Sequence, residues 1–144
     1  MKLRTYVFIC LLSSALCSLS CSLPKLESAE CADATEAVRE FYSFHYANDI
    51  AMSPENLKLR EKFLTTELFR SLMLSHPDKD YFTDSATPPK AFKVATCKAD
   101  DQNTAHLGVH LFWKPDEQTT IQKEAEVEAV KQGDKWLVNK VSVH

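Results

Sequence analysis

Two hydrophobic periods divide the chain. From Asp33 to about Asn48 the apolar positions recur at spacings of three and four. Ala34, Val38, Phe41 and His45 share one face, Ala37 and Phe44 flank it, and Tyr42 and Tyr46 border it. That is the period of an amphipathic helix. Asp33 followed by Glu36 resembles a capping box with acids in the first turn, so the pattern predicts a long helix from Asp33 to near Asn48-Asp49. Ser53-Pro54-Glu55 is a second helix start, with a cap, a proline at the first helical position and an acid next. Leu57, Arg60, Phe63 and Leu64 follow it. Thr65 or Thr66 caps a third, short helix through Glu67–Met73, which ends at His76-Pro77. Residues 77–90 are polar, contain Pro77, Pro88 and Pro89, and read as a loop.

Beyond that loop the period falls to two. Phe92, Val94 and Thr96 alternate with their neighbours, as do Ala105, Leu107, Val109, Leu111 and Trp113. Ala125, Val127 and Ala129 alternate against Glu124, Glu126 and Glu128, and Leu137, Val141 and Val143 close the chain. Asp100-Asp101, Pro115-Asp116 and Gly133-Asp134 punctuate the runs as turns. Helices followed by about four antiparallel strands make an α+β domain, whose long helix covers the apolar face of the sheet.

The first twenty residues follow neither period. Lys2 and Arg4 precede a nearly unbroken apolar run from Tyr6 to Leu12, and Ala15-Leu16 extend it. A membrane-spanning helix needs roughly 20 such residues. This shorter run has the basic, apolar, small-residue order of an export signal, assigned to residues 1–20. Ser18-Leu19-Ser20-Cys21 resembles the box at which bacterial lipoproteins are cut and lipidated on the cysteine, with Ser18 where leucine is usual. Plain cleavage after Ser20 or after Cys17 is the alternative. Cysteine parity favours lipidation. With Cys21 acylated, only Cys31 and Cys97 remain as thiols in an oxidising compartment, where such a pair tends to form a disulfide. Residues 21–32 then read as a tether and residues 33–144 as the domain.

Charge and glycine content remove several function classes. The chain has 17 basic and 20 acidic residues, for a formal net charge of −3. Removing residues 1–20 takes away Lys2 and Arg4 and no acid, so the exported chain is more acidic still. With no basic stripe, nucleic acid is not an expected partner. The only glycines, Gly108 and Gly133, are too far apart for a glycine-rich phosphate cradle. No nucleotide cofactor is expected.

The order of elements resembles a known superfamily. The helix containing Ala37-Val38-Arg39-Glu40-Phe41-Tyr42, the segments Phe63-Leu64-Thr65 and Leu68-Phe69, and the closing Gly133-Asp134-Lys135-Trp136-Leu137-Val138 are similar to the nuclear-transport-factor-2-like (cystatin-like) fold. More narrowly they resemble small exported bacterial domains of unknown function, often lipoproteins. The resemblance spans roughly residues 33–143. It implies one long and two short helices packed on a curved antiparallel sheet, with a cone-shaped pocket between them. Members include isomerases, dehydratases and binding domains without chemistry, so the fold leaves function open.

Candidate chemistry is sparse. On a strand, His106 and His110 share a face but stand about 13 Å apart at ~3.4 Å per residue, too far for one zinc ion. Asp78, Asp80 and Asp84 resemble the start of a calcium loop, but Pro89 replaces the bidentate glutamate and no glycine makes the turn, leaving a solvated loop. Glu124, Glu126 and Glu128 read as the solvent face of a sheet. His45, beside Tyr42 on the first helix, is the weak candidate for a general acid/base. The expectation is a non-catalytic envelope domain, anchored through Cys21, that binds a small molecule or an envelope protein. A pocket enzyme of the isomerase/dehydratase type and an inhibitor or immunity-type partner are the alternatives.

Overall fold

The computed structural model describes residues 27–144. The expected export signal, Cys21 and half of the expected tether, residues 21–26, lie outside the described residues. Among these residues three helices precede a four-stranded antiparallel sheet, curved and unclosed, in the order β1-β2-β3-β4. Among the described residues no helix is long and apolar enough to cross a membrane.

Helix α1 spans Ala29–Tyr46 and so starts before Asp33. The cap is Ser28, whose hydroxyl accepts from the Cys31 amide at 3.2 Å. This corrects the reading of Asp33 as the helix start and of residues 29–32 as tether. The sequence pattern missed the earlier start because Ser28 precedes the apolar stripe by a full turn. Cys31, Ala34, Val38, Phe41, Tyr42 and His45 form the buried stripe. The Asn48 side chain donates to the Phe44 carbonyl at 2.7 Å where the helix ends.

Helix α2 (Pro54–Arg60) is capped by Ser53, whose Oγ accepts from the Asn56 amide, and runs into a 3-10 turn at Glu61–Phe63. Helix α3 (Thr66–Ser75) is capped by Thr65 and closed by His76 in the left-handed region at φ 43°. Between the two helices, Leu64 bridges to Val138 and the Thr65 amide donates to the Val138 carbonyl at 2.9 Å. The short helices are thereby docked on the last strand.

The strands are β1 (Ala91–Ala99), β2 (Thr104–Trp113), β3 (Ile121–Gln132) and β4 (Lys135–Val143). Ala105, Leu107, Val109, Leu111 and Trp113 of β2 and Ala125, Val127 and Ala129 of β3 are buried toward the helices, as the alternation requires. Gly133 takes a positive φ of 62° as the first residue of the two-residue β3–β4 hairpin, a position that demands glycine. Phe41, Tyr42, Leu57, Phe82, Leu107 and Leu111, all fully buried, occupy the space between helices and sheet.

Strand β1 departs from simple alternation. Val94 pairs with Val109, but Thr96 pairs with Gly108, so Ala95 is an extra residue in the ladder. Such a bulge inverts the phase of the strand. Phe92 and Val94 face the helices before it. After it Cys97 takes the inner face and Thr96 the outer one, a correction to the phase read from Phe92, Val94 and Thr96. The inversion lets Cys97 reach Cys31. The two form a disulfide with Cα atoms 5.7 Å apart, closing a span of 66 residues. A loop of that length corresponds to about 4 kcal/mol in the chain-entropy account.

Gly108 accommodates the bulge. Its amide donates to the Thr96 Oγ1 at 3.2 Å, and a Cβ on Gly108 would stand 2.5 Å from that oxygen. Gly108→Ala is therefore expected to cost about 1–3 kcal/mol by overpacking, measured by urea unfolding. Adding Thr96→Ala should recover part of the loss, and a Gly108→Ala protein as stable as the parent would refute the close approach.

Candidate functional site

The acid/base candidates lie inside the protein. His45 is fully buried at the end of α1, between Arg60 of α2 and Asp80 of the 77–90 loop. Arg60 Nε donates to His45 Nδ1 at 2.6 Å. A guanidinium only donates, so Nδ1 is an acceptor and the ring proton sits on Nε2. Nε2 in turn donates to Asp80 Oδ2 at 2.9 Å. Asp80 also accepts from the Thr83 hydroxyl at 2.6 Å and the Phe82 amide at 3.1 Å. Arg60 donates further to the carbonyls of Asn56 and Asp49, each at 2.7 Å. Burial pulls the Arg60 guanidinium below its ordinary range, and the charges of Asp80 and Asp49 oppose that pull.

This is one negative and one positive charge joined through a neutral imidazole. Both nitrogens of His45 are occupied, and neither is open to a bound molecule. Tyr42 donates to the Phe82 carbonyl at 3.2 Å, and burial, with Asp80 nearby, pushes its phenol well above the usual tyrosine range. Burial does the same to Tyr46, whose hydroxyl has no hydrogen-bond partner among the described residues. The arrangement holds elements together and presents no proton to a ligand. It also corrects the reading of Asp80 as part of a solvated loop. Asp78 and Asp84 are exposed there, whereas Asp80, Phe82 and Thr83 are buried. The aromatic pair Tyr81-Phe82 inside a polar stretch was the sequence signal for this, and Arg60 stood at an apolar-phase position of α2 for the same reason.

The histidines and glutamates of the sheet share its outer face. His106 pairs across to Glu128 and to Lys98, His110 to Glu124 and to Lys93, and Glu128 also to Lys140. His106 Nε2 lies 3.0 Å from Asp100 and its Nδ1 3.7 Å from Glu126. Hydrogen bonding from Lys98, with its charge and that of His106, holds the Asp100 carboxyl below the ordinary range. Acids and bases alternate across the strands, the arrangement of a solvated, internally compensated face. Glu27, Cys31 and Cys97 bring ligand-type atoms within 4.8 Å of one another, but both sulfurs are consumed by the disulfide.

The surface clefts differ sharply in chemistry. One of about 660 Å³ at the disulfide end is bordered by Glu27, Glu30, Asp100 and Asp101. Another of about 830 Å³ lies along α1 and the β3–β4 hairpin, where Asp33, Glu36, Glu40 and Asp134 outnumber Lys62 and Lys135. A third, of about 460 Å³, sits at the opposite end of the sheet, with an apolar lining of Trp113, Ile121, Pro88 and Pro115. Trp113 donates its indole N–H to the Thr87 carbonyl at 2.9 Å, so its remaining surface is apolar. Ile121 is 47% exposed. Sequence reasoning missed this cleft, because Trp113 read as an ordinary strand residue, Ile121 stood outside the alternating runs, and the two meet the prolines only in the fold. His45 and Tyr42 border none of these three clefts.

No family model matches the chain, and no curated protein matches it. A solved structure of a protein of unknown function from Bacteroides thetaiotaomicron superposes with a TM-score of 0.53 at 17% identity, covering 78% of this chain and 90% of that one. The fold is shared with a bacterial protein of unknown function. At that identity the likeness is one of fold alone. A de novo designed β-sheet protein solved by NMR covers 78% of this chain and 88% of its own at 18% identity, with a TM-score of 0.36 that adds nothing to the assignment.

Two stability measurements test the buried network. Arg60→Met leaves Asp80 buried without its countercharge and is expected to cost about 3–5 kcal/mol in urea unfolding. A loss below about 1 kcal/mol would mean that the network is not closed as described. Tyr42 and Tyr46 titrate higher folded than unfolded, so the unfolded chain loses these protons first as pH rises past about 10. Their contribution is complete below that pH and is expected to decline above it, with a slope of up to about 1.4 kcal/mol per unit for each group. Stability independent of pH between neutrality and pH 11 would contradict their burial.

Proposed function

We propose that the chain is an exported, lipid-anchored bacterial envelope domain of the nuclear-transport-factor-2-like (cystatin-like) kind that binds a small molecule without transforming it. The observation that carries this reading is the cleft at Trp113. Its volume lies within the range of small-molecule sites, and its lining is apolar with a few polar groups at the rim. The weak catalytic candidates, by contrast, spend their hydrogen bonds within the core.

The position of the cleft agrees with a tethered domain. The chain enters α1 beside Cys31 and Cys97, at the end of the sheet that holds the β1–β2 turn. Trp113 ends β2 at the other extreme, about 20 Å from Leu107, the register partner of Cys97, for six residue steps at ~3.3 Å. A domain anchored through Cys21 would hold this cleft toward the aqueous side. Cys21→Ser is expected to move the protein from the membrane to the soluble fraction and to abolish a diacylglycerol-sized increment in intact mass. Unchanged partitioning would overturn the lipid anchor.

A further inference from the structure

The cleft at Trp113 has an unusual charge for this chain. Its rim carries Lys90, Lys114 and Lys123, and no carboxylate side chain lines it. The protein as a whole has more acids than bases, and the other two large clefts are bordered mainly by acids. Lys123 is held in place. Its ammonium donates to the Asp84 carbonyl at 2.9 Å, lies 3.6 Å from the Asp84 carboxylate, and sits 5.6 Å from the centre of the Trp113 ring. Lys90 and Lys114 make no ion pair among the described residues.

Of the two acids in the β2–β3 connection, Asp116 and Glu117, neither lines the cleft. Asp116 turns its carboxylate into its own loop, where it accepts from the amides of Thr119 at 2.7 Å and Gln118 at 2.9 Å. The floor offers a different chemistry. The Trp113 indole is anchored through its N–H to Thr87, and the exposed Ile121 and two prolines complete an apolar surface with little rotameric freedom to lose on binding.

We infer that this cleft binds a small free organic anion with a flat apolar body, an aromatic or short aliphatic carboxylate, whose charged end lies between Lys90 and Lys114 and whose apolar end lies against Trp113 and Ile121. The inference rests on the binding-domain reading above and names its ligand class. A lipid headgroup is not the occupant, because the cleft is at the end of the sheet remote from the point where the tethered segment enters.

The test follows the two indole N–H signals in a nitrogen-15 NMR spectrum of the purified protein. Trp136→Phe assigns them and sacrifices no hydrogen bond among the described residues, where Trp136 Nε1 has no partner. Titration with 2-naphthoate is expected to shift the Trp113 signal saturably, with an affinity that falls as salt is added. Neutral 2-naphthamide should bind about tenfold more weakly or worse, as should 2-naphthoate to a Lys90→Glu/Lys114→Glu protein whose unfolding curve matches the parent's. If the amide binds as tightly as the acid, the cleft remains a binding site and the anion assignment is overturned. If neither probe moves the Trp113 signal, both this inference and the cleft as a binding site fall. A shift seen only with anionic phosphatidylglycerol vesicles, or only on raising protein concentration, overturns the inference in favour of a membrane or self-association surface.

Discussion

The relay from Arg60 through neutral His45 to Asp80 is the constraint on which the helical half of the fold depends. A lone buried charge would cost several kcal/mol, so each of the three residues is tolerable only because the other two are in place. The relay joins three segments: the end of α1, the end of α2 and the loop before β1. Its influence passes outward along the loop. Asp80 accepts the Asp84 amide on its carbonyl, and its own amide donates to the Ser85 carbonyl. Asp84 then anchors Lys123, and Thr87, two residues beyond Ser85, anchors Trp113. The walls of the candidate cleft are therefore positioned by a charge pair buried elsewhere.

A second constraint acts at the opposite end of the sheet. One extra residue in β1 exchanges the faces of the strand, and Gly108 supplies the only side chain small enough to lie opposite Thr96 at that point. Without the exchange Cys97 would face solvent and Cys31 would have no partner. The covalent link between helix and sheet follows from a local irregularity of the ladder, and it holds the first turn of α1 where the chain enters the domain.

These two devices divide the surface by chemistry. Acids gather where the chain enters and along α1, the outer face of the sheet compensates its own charges strand by strand, and an apolar cleft ringed by lysines remains at the far end. The shared fold with a bacterial protein of unknown function carries no substrate with it.

Local periodicity by itself determined the order of helices and strands, the cap at Ser53 and a cap at Thr65 or Thr66, the three turns, and the faces of β2 and β3. Each of these depends on neighbours within one turn or on side-chain alternation, and both are written in the residues themselves. Cysteine parity pointed to a Cys31–Cys97 pair only on the expectation that Cys21 is acylated, and the fold is what brings the two sulfurs together. The tertiary structure alone decided that Asp80 is buried, that β1 changes face at Ala95, and that Trp113 meets Ile121, Pro88 and Pro115. Each of those depends on residues far apart in the chain. A polar loop reads as solvated until the charge it neutralises is seen, and a cleft has no sequence period because its walls come from separate segments.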